Sequence, residues 1–300
     1  MTAQVAGAFH PIRPSGHLVI TLPPPSLTPL TPAHLPALLR ALRREPVSNL
    51  FLLHLARRTG LRPSQGGPAF YGHLDDRGEV LGAGAFGATL LAWSPLPETL
   101  PLLCDEALRR KGRWKSLLGD ARTLDPLWAG LEREAGRPLE NHTEDWMALP
   151  RDGFAPSPAP LDVRVASEKD LPRILPLRFA MQEEEDRILT SEDRERVRRR
   201  CRESIRDGHL FYVEDEGEVV FTAAFSADPP EAAQISSVFT RADRRGRGIA
   251  SRALSPLIDR AFQTSERVSL FVLPDNAPAQ AVYRKLGFRR FATARSIRVR

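Results

Sequence analysis

The chain has only two cysteines, Cys104 and Cys201, in 300 residues. That is too few for a disulfide framework or a thiolate zinc site. It has no run close to the roughly 18 apolar residues a membrane helix needs. The longest candidate, Leu81 to Trp93, is thirteen residues and is broken by glycines. The first thirty residues lack the charged start, apolar stretch and small-residue cleavage site of an export signal. A large excess of one charge is missing too: 43 Lys and Arg against 37 Asp and Glu leave +6, a mild basic balance. These absences predict a cytoplasmic protein with no metal, no membrane contact and no nucleic-acid partner.

What is present suffices for folding, since 42% of the residues are apolar. The length is about twice that of the commonest domain, which predicts two units. Prolines mark the divisions. Residues 1–27 read as a loose leader, with Pro23-Pro24-Pro25 denying helix continuity. Residues 151–160, carrying Pro156, Pro158 and Pro160, read as a stiff, extended linker. A first lobe then spans 28–150 and a second 161–300.

The two lobes resemble each other. Asp76 to Ala88 aligns without gaps on Asp215 to Ala227, with seven of thirteen positions identical at an offset of 139. Upstream, Leu35-Pro36-Ala37-Leu38-Leu39 matches Leu171-Pro172-Arg173-Ile174-Leu175 at an offset of 136. Two blocks recurring in one order point to a duplicated unit.

In the second lobe, Ser167 to Asp170 reads as a helix-capping sequence, followed by Leu171, Ile174, Leu175 and Phe179 at helical spacing. Another helix starts at Thr190 to Asp193, with Val197, Cys201 and Ile205 as its apolar stripe and Glu192/Arg196 and Glu195/Arg199 as i,i+4 pairs. Arg198-Arg199-Arg200 is then a solvated face. A hairpin (Leu210 to Phe225), a strand (Ala233 to Thr240), a helix (Ile249 to Phe262) and a strand (Arg267 to Leu273) follow. A last helix, Asn276 to Leu286, stops at Gly287, and Phe288 to Val299 closes the sheet.

Gly82-Ala83-Gly84-Ala85-Phe86-Gly87 fits the dinucleotide-binding spacing, but that pattern has meaning only between a parallel strand and a long helix. Here Pro95, Pro97 and Pro101 interrupt the crossover, and the repeat places these glycines inside a hairpin strand. They are read as marks of close backbone packing.

The segment Arg244-Arg245-Gly246-Arg247-Gly248-Ile249-Ala250-Ser251 carries chemistry. Its glycines let the backbone turn tightly and approach a ligand. The helix starting near Ile249 offers unpaired N–H groups and the positive end of its dipole. Arg244, Arg245 and Arg247 add cationic forks suited to phosphate oxygens. Together they form an anion cradle. It lacks the terminal Lys-Ser/Thr of a nucleoside-triphosphate loop.

Arg245-Gly246-Arg247-Gly248-Ile249-Ala250 resembles the Q/R-x-x-G-x-G/A motif of the GNAT N-acetyltransferases. Asn276-Ala277-Pro278-Ala279-Gln280-Ala281-Val282-Tyr283-Arg284-Lys285-Leu286-Gly287-Phe288 is similar to that family's N-x-x-A-x-x-x-Y-x-x-x-G-F segment. The resemblance covers about 161–300; the first lobe shares only the early helix and hairpin, with Trp114 to Gly136 as a possible remnant of the late strand and helix. It implies an α/β fold of two GNAT-like lobes in tandem, each a mostly antiparallel central sheet flanked by helices, the first lobe degenerate.

The resemblance further implies acetyl-CoA as acyl donor and a primary amine attacking its thioester directly. Val238, Phe239 and Thr240 would bind the pantetheine through their backbones, and Arg245, Gly246, Arg247, Gly248, Ile249, Ala250 and Ser251 the pyrophosphate. Val238 N–H would stabilise the oxyanion. Asn276 would touch the cofactor arm or the strand splay. Tyr283 aligns with the tyrosine that protonates the leaving thiolate, or else is a core aromatic beside Phe288. The strand offers Gln234, Ser236 and Ser237 where several members carry a glutamate base. Glu183, Glu184 and Glu185 border the acceptor region, as substrate-side carboxylates or as a solvated helix end. The acceptor and the oligomeric state stay open. A non-catalytic acyl-CoA sensor or interaction module is the alternative.

Overall fold

The computed structural model describes residues 26–184 and 188–300. The leader up to Pro25, and Glu185, lie outside the described residues. The first half contains β1 (Leu27–Pro29), α1 (Leu35–Leu42), α2 (Leu50–Thr59), β2 (Ala69–Leu74), β3 (Val80–Phe86), β4 (Thr89–Trp93), α3 (Thr99–Arg109), β5 (Ser116–Asp120), α4 (Ala121–Ala135) and β6 (Glu140–Pro150). The same order returns as β7 (Arg164–Val165), α5 (Leu171–Glu183), α6 (Ser191–Arg206), β8 (Leu210–Asp215), β9 (Glu218–Ala227), β10 (Ala233–Thr240), α7 (Ile249–Phe262), β11 (Arg267–Val272), α8 (Ala277–Lys285) and β12 (Arg289–Arg298). The fold is mixed α/β.

All twelve strands join one sheet, in the order β1-β2-β3-β4-β5-β12-β6-β11-β10-β9-β8-β7. The last strand of each half therefore lies against the fifth strand of the other. β12 pairs antiparallel with β5, from Ala294↔Asp120 to Arg298↔Ser116. β6 pairs antiparallel with β11, from Arg267↔Pro150 to Val272↔Asp145. β6 and β12 run side by side at the centre. This corrects the expectation that Phe288 to Val299 closes the second half's own sheet. Strand partners are chosen by long-range packing, which a local hydrophobic pattern does not encode.

Helices cover both faces. In β8, Phe211 and Val213 pack with α7, while Leu210 and Tyr212 pack with α5 and α6, the alternation a strand requires. The first half repeats the layering, with α1 and α2 over Phe70, Val80 and Ala85, and α3 and α4 over Phe86, Leu90 and Leu117. At the centre, Val47 and Leu50 of the first half bury Trp146, Ala227 and Ala294.

Several local readings are refined. The Pro-rich segment is held against the second half: Ala155 N–H donates to the Leu286 carbonyl and Leu161 N–H to the Arg252 carbonyl. On α6, Thr190 and Asp193 cap the helix reciprocally, but Arg196 pairs with Asp193 and Arg198 with Glu195, each at i,i+3, in place of the expected i,i+4 pairs. Gly82 and Gly84 lie inside β3, where a Cβ on Gly82 would come within 2.6 Å of Thr99 Cγ2. No described helix is long and apolar enough to cross a membrane, and no group of three metal-ligating side chains occurs among the described residues.

Candidate functional site

β10 and β11 run parallel but pair only over Ala233–Ile235 against Val268–Leu270. Beyond that point the strands separate. β10 also breaks register with β9 between Ser236 and Phe239, and Ser237 has a φ of +56°, in the left-handed region. The kink is held from α5: Arg178 donates to the Ser237 carbonyl at 3.2 Å and to its hydroxyl at 2.9 Å. Serine is an ordinary strand residue, so the sequence carried no signal for this bulge or for its clamp.

After the kink, Arg241 N–H donates back to Val220 of β9. Strand N–H groups alternate between sides. The N–H groups of Val238 and Thr240 therefore face away from β9, toward the opening beside β11. Phe239, between them, is buried against α5 and α6.

The loop that follows makes a single 3-10 turn at Ala242–Arg244 and then two left-handed steps, Gly246 (φ +74°) and Gly248 (φ +72°), before α7 begins at Ile249. No protein atom lies within 4 Å of where a Cβ on Gly246 would sit. Among the described residues, the backbone N–H groups from Gly246 to Ser251 have no acceptor. The first helical bond is that from Arg252 N–H to the Gly248 carbonyl, and the Ser251 hydroxyl also donates to that carbonyl. This is an open cradle of donors at a helix N-terminus, which suits an anion. The residues present thus fit a diphosphate.

The expected ring of free arginines is corrected. Arg244 pairs with Asp215 and Glu216 of the β8–β9 turn. Arg245 grips Glu184 through both carboxylate oxygens, at 2.7 and 2.8 Å, donates to the Thr240 carbonyl, and lies 5.0 Å from the centre of the Phe239 ring. Arg247 alone of the three makes no close ion pair among the described residues, though its charge, after the hydrogen bond and charge of Arg244, helps lower the Glu216 pKa. Counter-ions for this arginine-rich turn are supplied by the β8–β9 turn and by the end of α5.

Glu184 is consequently a tie between α5 and the cradle, and Glu183 is paired with Arg194 at 2.7 Å. Both carboxylates are thus engaged in ion pairs, with Glu183 committing one of its two oxygens. Asn276 is the N-cap of α8, its side chain accepting from Ala279 N–H at 3.1 Å. Tyr283 is 5% exposed and packs edge-on against Phe288, with ring centres 6.0 Å apart. Burial pushes its phenol well above the ordinary tyrosine value, so the hydroxyl keeps its proton.

A cleft of about 580 Å³ opens where the halves meet. Ser236 and Ser237 line it from β10, Arg178 and Arg200 from α5 and α6, and His54 and Arg58 from α2 of the first half. Asp228 lies at this junction, accepting from His209 of its own half at 3.0 Å and lying 3.4 Å from His54 of the first half. These two imidazoles, His209 first, hold its carboxyl well below the usual aspartate range. A larger opening of about 850 Å³ lies between the α1–α2 turn, the start of α4 and β12, and contains none of the residues singled out from the sequence.

The corresponding place in the first half is built differently. α3 is preceded by Pro95 and Pro97, which lack N–H donors, and its N-cap is Glu98. Asp120, at the end of β5, is tied to Arg122 and Ser48, and Arg122 in turn to Glu45. A carboxylate and prolines in place of glycines leave nothing there for a diphosphate.

Residues 177–288 match the model of the acetyltransferase (GNAT) family. None of the curated proteins matches the chain. Among solved structures, an acetyltransferase of the GNAT family from Colwellia psychrerythraea is similar at 14% identity over 92% of this chain and 100% of that one, with a TM-score of 0.56. A GCN5-related N-acetyltransferase from Sphaerobacter thermophilus gives 16% identity over 91% and 94%, with a TM-score of 0.57. A tandem GNAT protein from the clavulanic acid biosynthesis pathway gives 14% over 91% and 97%, with a TM-score of 0.53. Likeness at such low identity establishes the fold, and that fold extends across both halves of the chain.

Proposed function

We propose that the GNAT domain at residues 177–288 makes this chain an acetyl-CoA-dependent N-acetyltransferase, with the first half acting as a lobe that does not bind the cofactor. The observation that carries the reading is the donor cradle from Gly246 to Ser251, opening beside the separated ends of β10 and β11. Its N–H groups, with Arg247, would hold the diphosphate, and the outward N–H groups of Val238 and Thr240 the pantetheine. Bound there, acetyl-CoA supplies an activated acetyl thioester. Val238 N–H is oriented toward the opening, so it donates to a developing oxyanion without rearrangement. Tyr283 would be the donor to the leaving thiolate, although the burial that keeps it protonated also makes its phenol a weaker acid. The cleft between the halves receives the amine.

The test uses the full chain with acetyl-CoA and an amine library, read by thiol release and by the 42 Da gain of the product (on the order of an acetyl group for a hydrogen). Acetylated product from at least one amine supports the reading; thioester stability against the whole library, with coenzyme A bound, transfers it to an acyl-CoA sensor. That second reading is favoured by one observation, the engagement of both Glu183 and Glu184 in ion pairs.

A further inference from the structure

Arg178 and Arg200 face the junction cleft without a carboxylate partner among the described residues. Their neighbours are matched: Arg58 with Asp207, Arg196 with Asp193, Arg298 with Glu140. Arg178 spends its donors on neutral groups, the Ser237 carbonyl and hydroxyl and the Met181 sulfur, and its buried Nε–H has no acceptor. Arg200 is exposed to solvent. Desolvation, then the like charges of Arg196, Arg199 and Arg298, hold its pKa below the ordinary arginine value. Among the described residues, Glu203 is the one lining carboxylate outside an ion pair, and its charge offsets part of that on Arg200, so the cleft keeps an excess of guanidinium charge. A partly buried guanidinium such as that of Arg178, with no anion beside it, is costly, and a ligand anion at the cleft would relieve that cost.

Resting on the acetyltransferase reading, we propose that the amine acceptor carries an acidic group, a carboxylate or a phosphate, seated against Arg200 and Arg178 while its amine approaches the Ser237 kink. The cleft so used is shared: α2 contributes His54 and Arg58, which gives the first half a part in choosing the acceptor. A planar guanidinium fork suits both acids.

The experiment compares matched amines on the full chain: 4-aminobutyrate against butylamine, and O-phosphoethanolamine against ethylamine. Thiol release from acetyl-CoA and calorimetric binding in the presence of coenzyme A are both read. The expected result is a preference of about tenfold or more for one acid-bearing member over its plain counterpart. Which pair shows it separates carboxylate from phosphate. Arg200→Gln should erase the preference while leaving coenzyme A affinity intact, and Arg178→Lys, which keeps the charge, should retain more of it than Arg178→Met. Acid-bearing amines that bind selectively without thiol release would uphold the anion site and remove the transferase reading. Plain amines that bind and react as well as their acidic partners, a failure of all four to bind, or a preference that survives Arg200→Gln, would overturn the proposal.

Discussion

Arg178 and Ser237 are joined twice, the guanidinium reaching both the carbonyl and the hydroxyl of a serine whose φ is +56°. The left-handed conformation costs a non-glycine residue about 1–2 kcal/mol, and two hydrogen bonds offset it. Valine is favoured in ordinary strands, yet Ser237→Val should cost about 2 kcal/mol or more, because a β-branched side chain resists that conformation. Ser237→Gly should stay within about 1 kcal/mol of the parent. Urea unfolding measures both; a valine variant as stable as the parent would mean the kink is not fixed.

Gly248→Glu places bulk and negative charge at the mouth of the cradle, at a φ of +72°. Affinity for acetyl-CoA should fall by about a hundredfold or more in calorimetry. The melting temperature should drop as well, reflecting the roughly 1–2 kcal/mol that a non-glycine residue costs in the left-handed region, since the space for the side chain itself is open. Undiminished affinity would place the diphosphate elsewhere.

Tyr283→Phe removes a hydroxyl that makes no hydrogen bond to the described protein. Stability should change by less than about 1 kcal/mol, and acetyl-CoA affinity should hold. Turnover should fall, because the proton donor is gone. Equal turnover in the two proteins would leave Tyr283 as a packing residue alone.

Asp228 accepts from His209 of its own half and faces His54 of the first half, and these imidazoles, His209 first, hold its carboxyl below the ordinary aspartate range. A pKa lowered by folding contributes stability that is whole above the unfolded value, near pH 4, and drains away as acid protonates the group. Urea midpoints of the parent should therefore fall more steeply below about pH 4 than those of Asp228→Asn. Parallel acid limbs would show that this carboxylate does not contribute the acid-sensitive stability.

Gly82→Ala should destabilise by about 1–3 kcal/mol, since the new methyl meets Thr99 and the Trp93 carbonyl oxygen. Thermal melts would register it, and acetyl-CoA affinity should not move. A loss of cofactor binding without a loss of stability would reopen this glycine run as a ligand loop.

Much of the fold was legible from local pattern. The bounds of β10 and α7 follow from where apolar runs meet Thr240, Gly248 and Phe262, and the Asp76 and Asp215 blocks announce the repeat. The cradle was legible as well, because glycine has few reasons to occur twice at a helix start. Its electrostatics were not. Which of Arg244, Arg245 and Arg247 stays free depends on Glu184 and on the Asp215–Glu216 turn, both far away in sequence. Arg178 and His54 escaped notice for the same reason, since their roles exist only once α5 and α2 meet the kinked strand.

The traded terminal strands make the molecule a dimer stitched into one polypeptide. Severing it within residues 151–160 does not release two finished modules. It leaves β11 facing a gap and sends β12 away without its neighbours, two raw edges of the kind that seek foreign strands. A freed second half would regain a whole sheet most directly by coupling with another copy of itself, so the first half also covers edges that the second would otherwise expose.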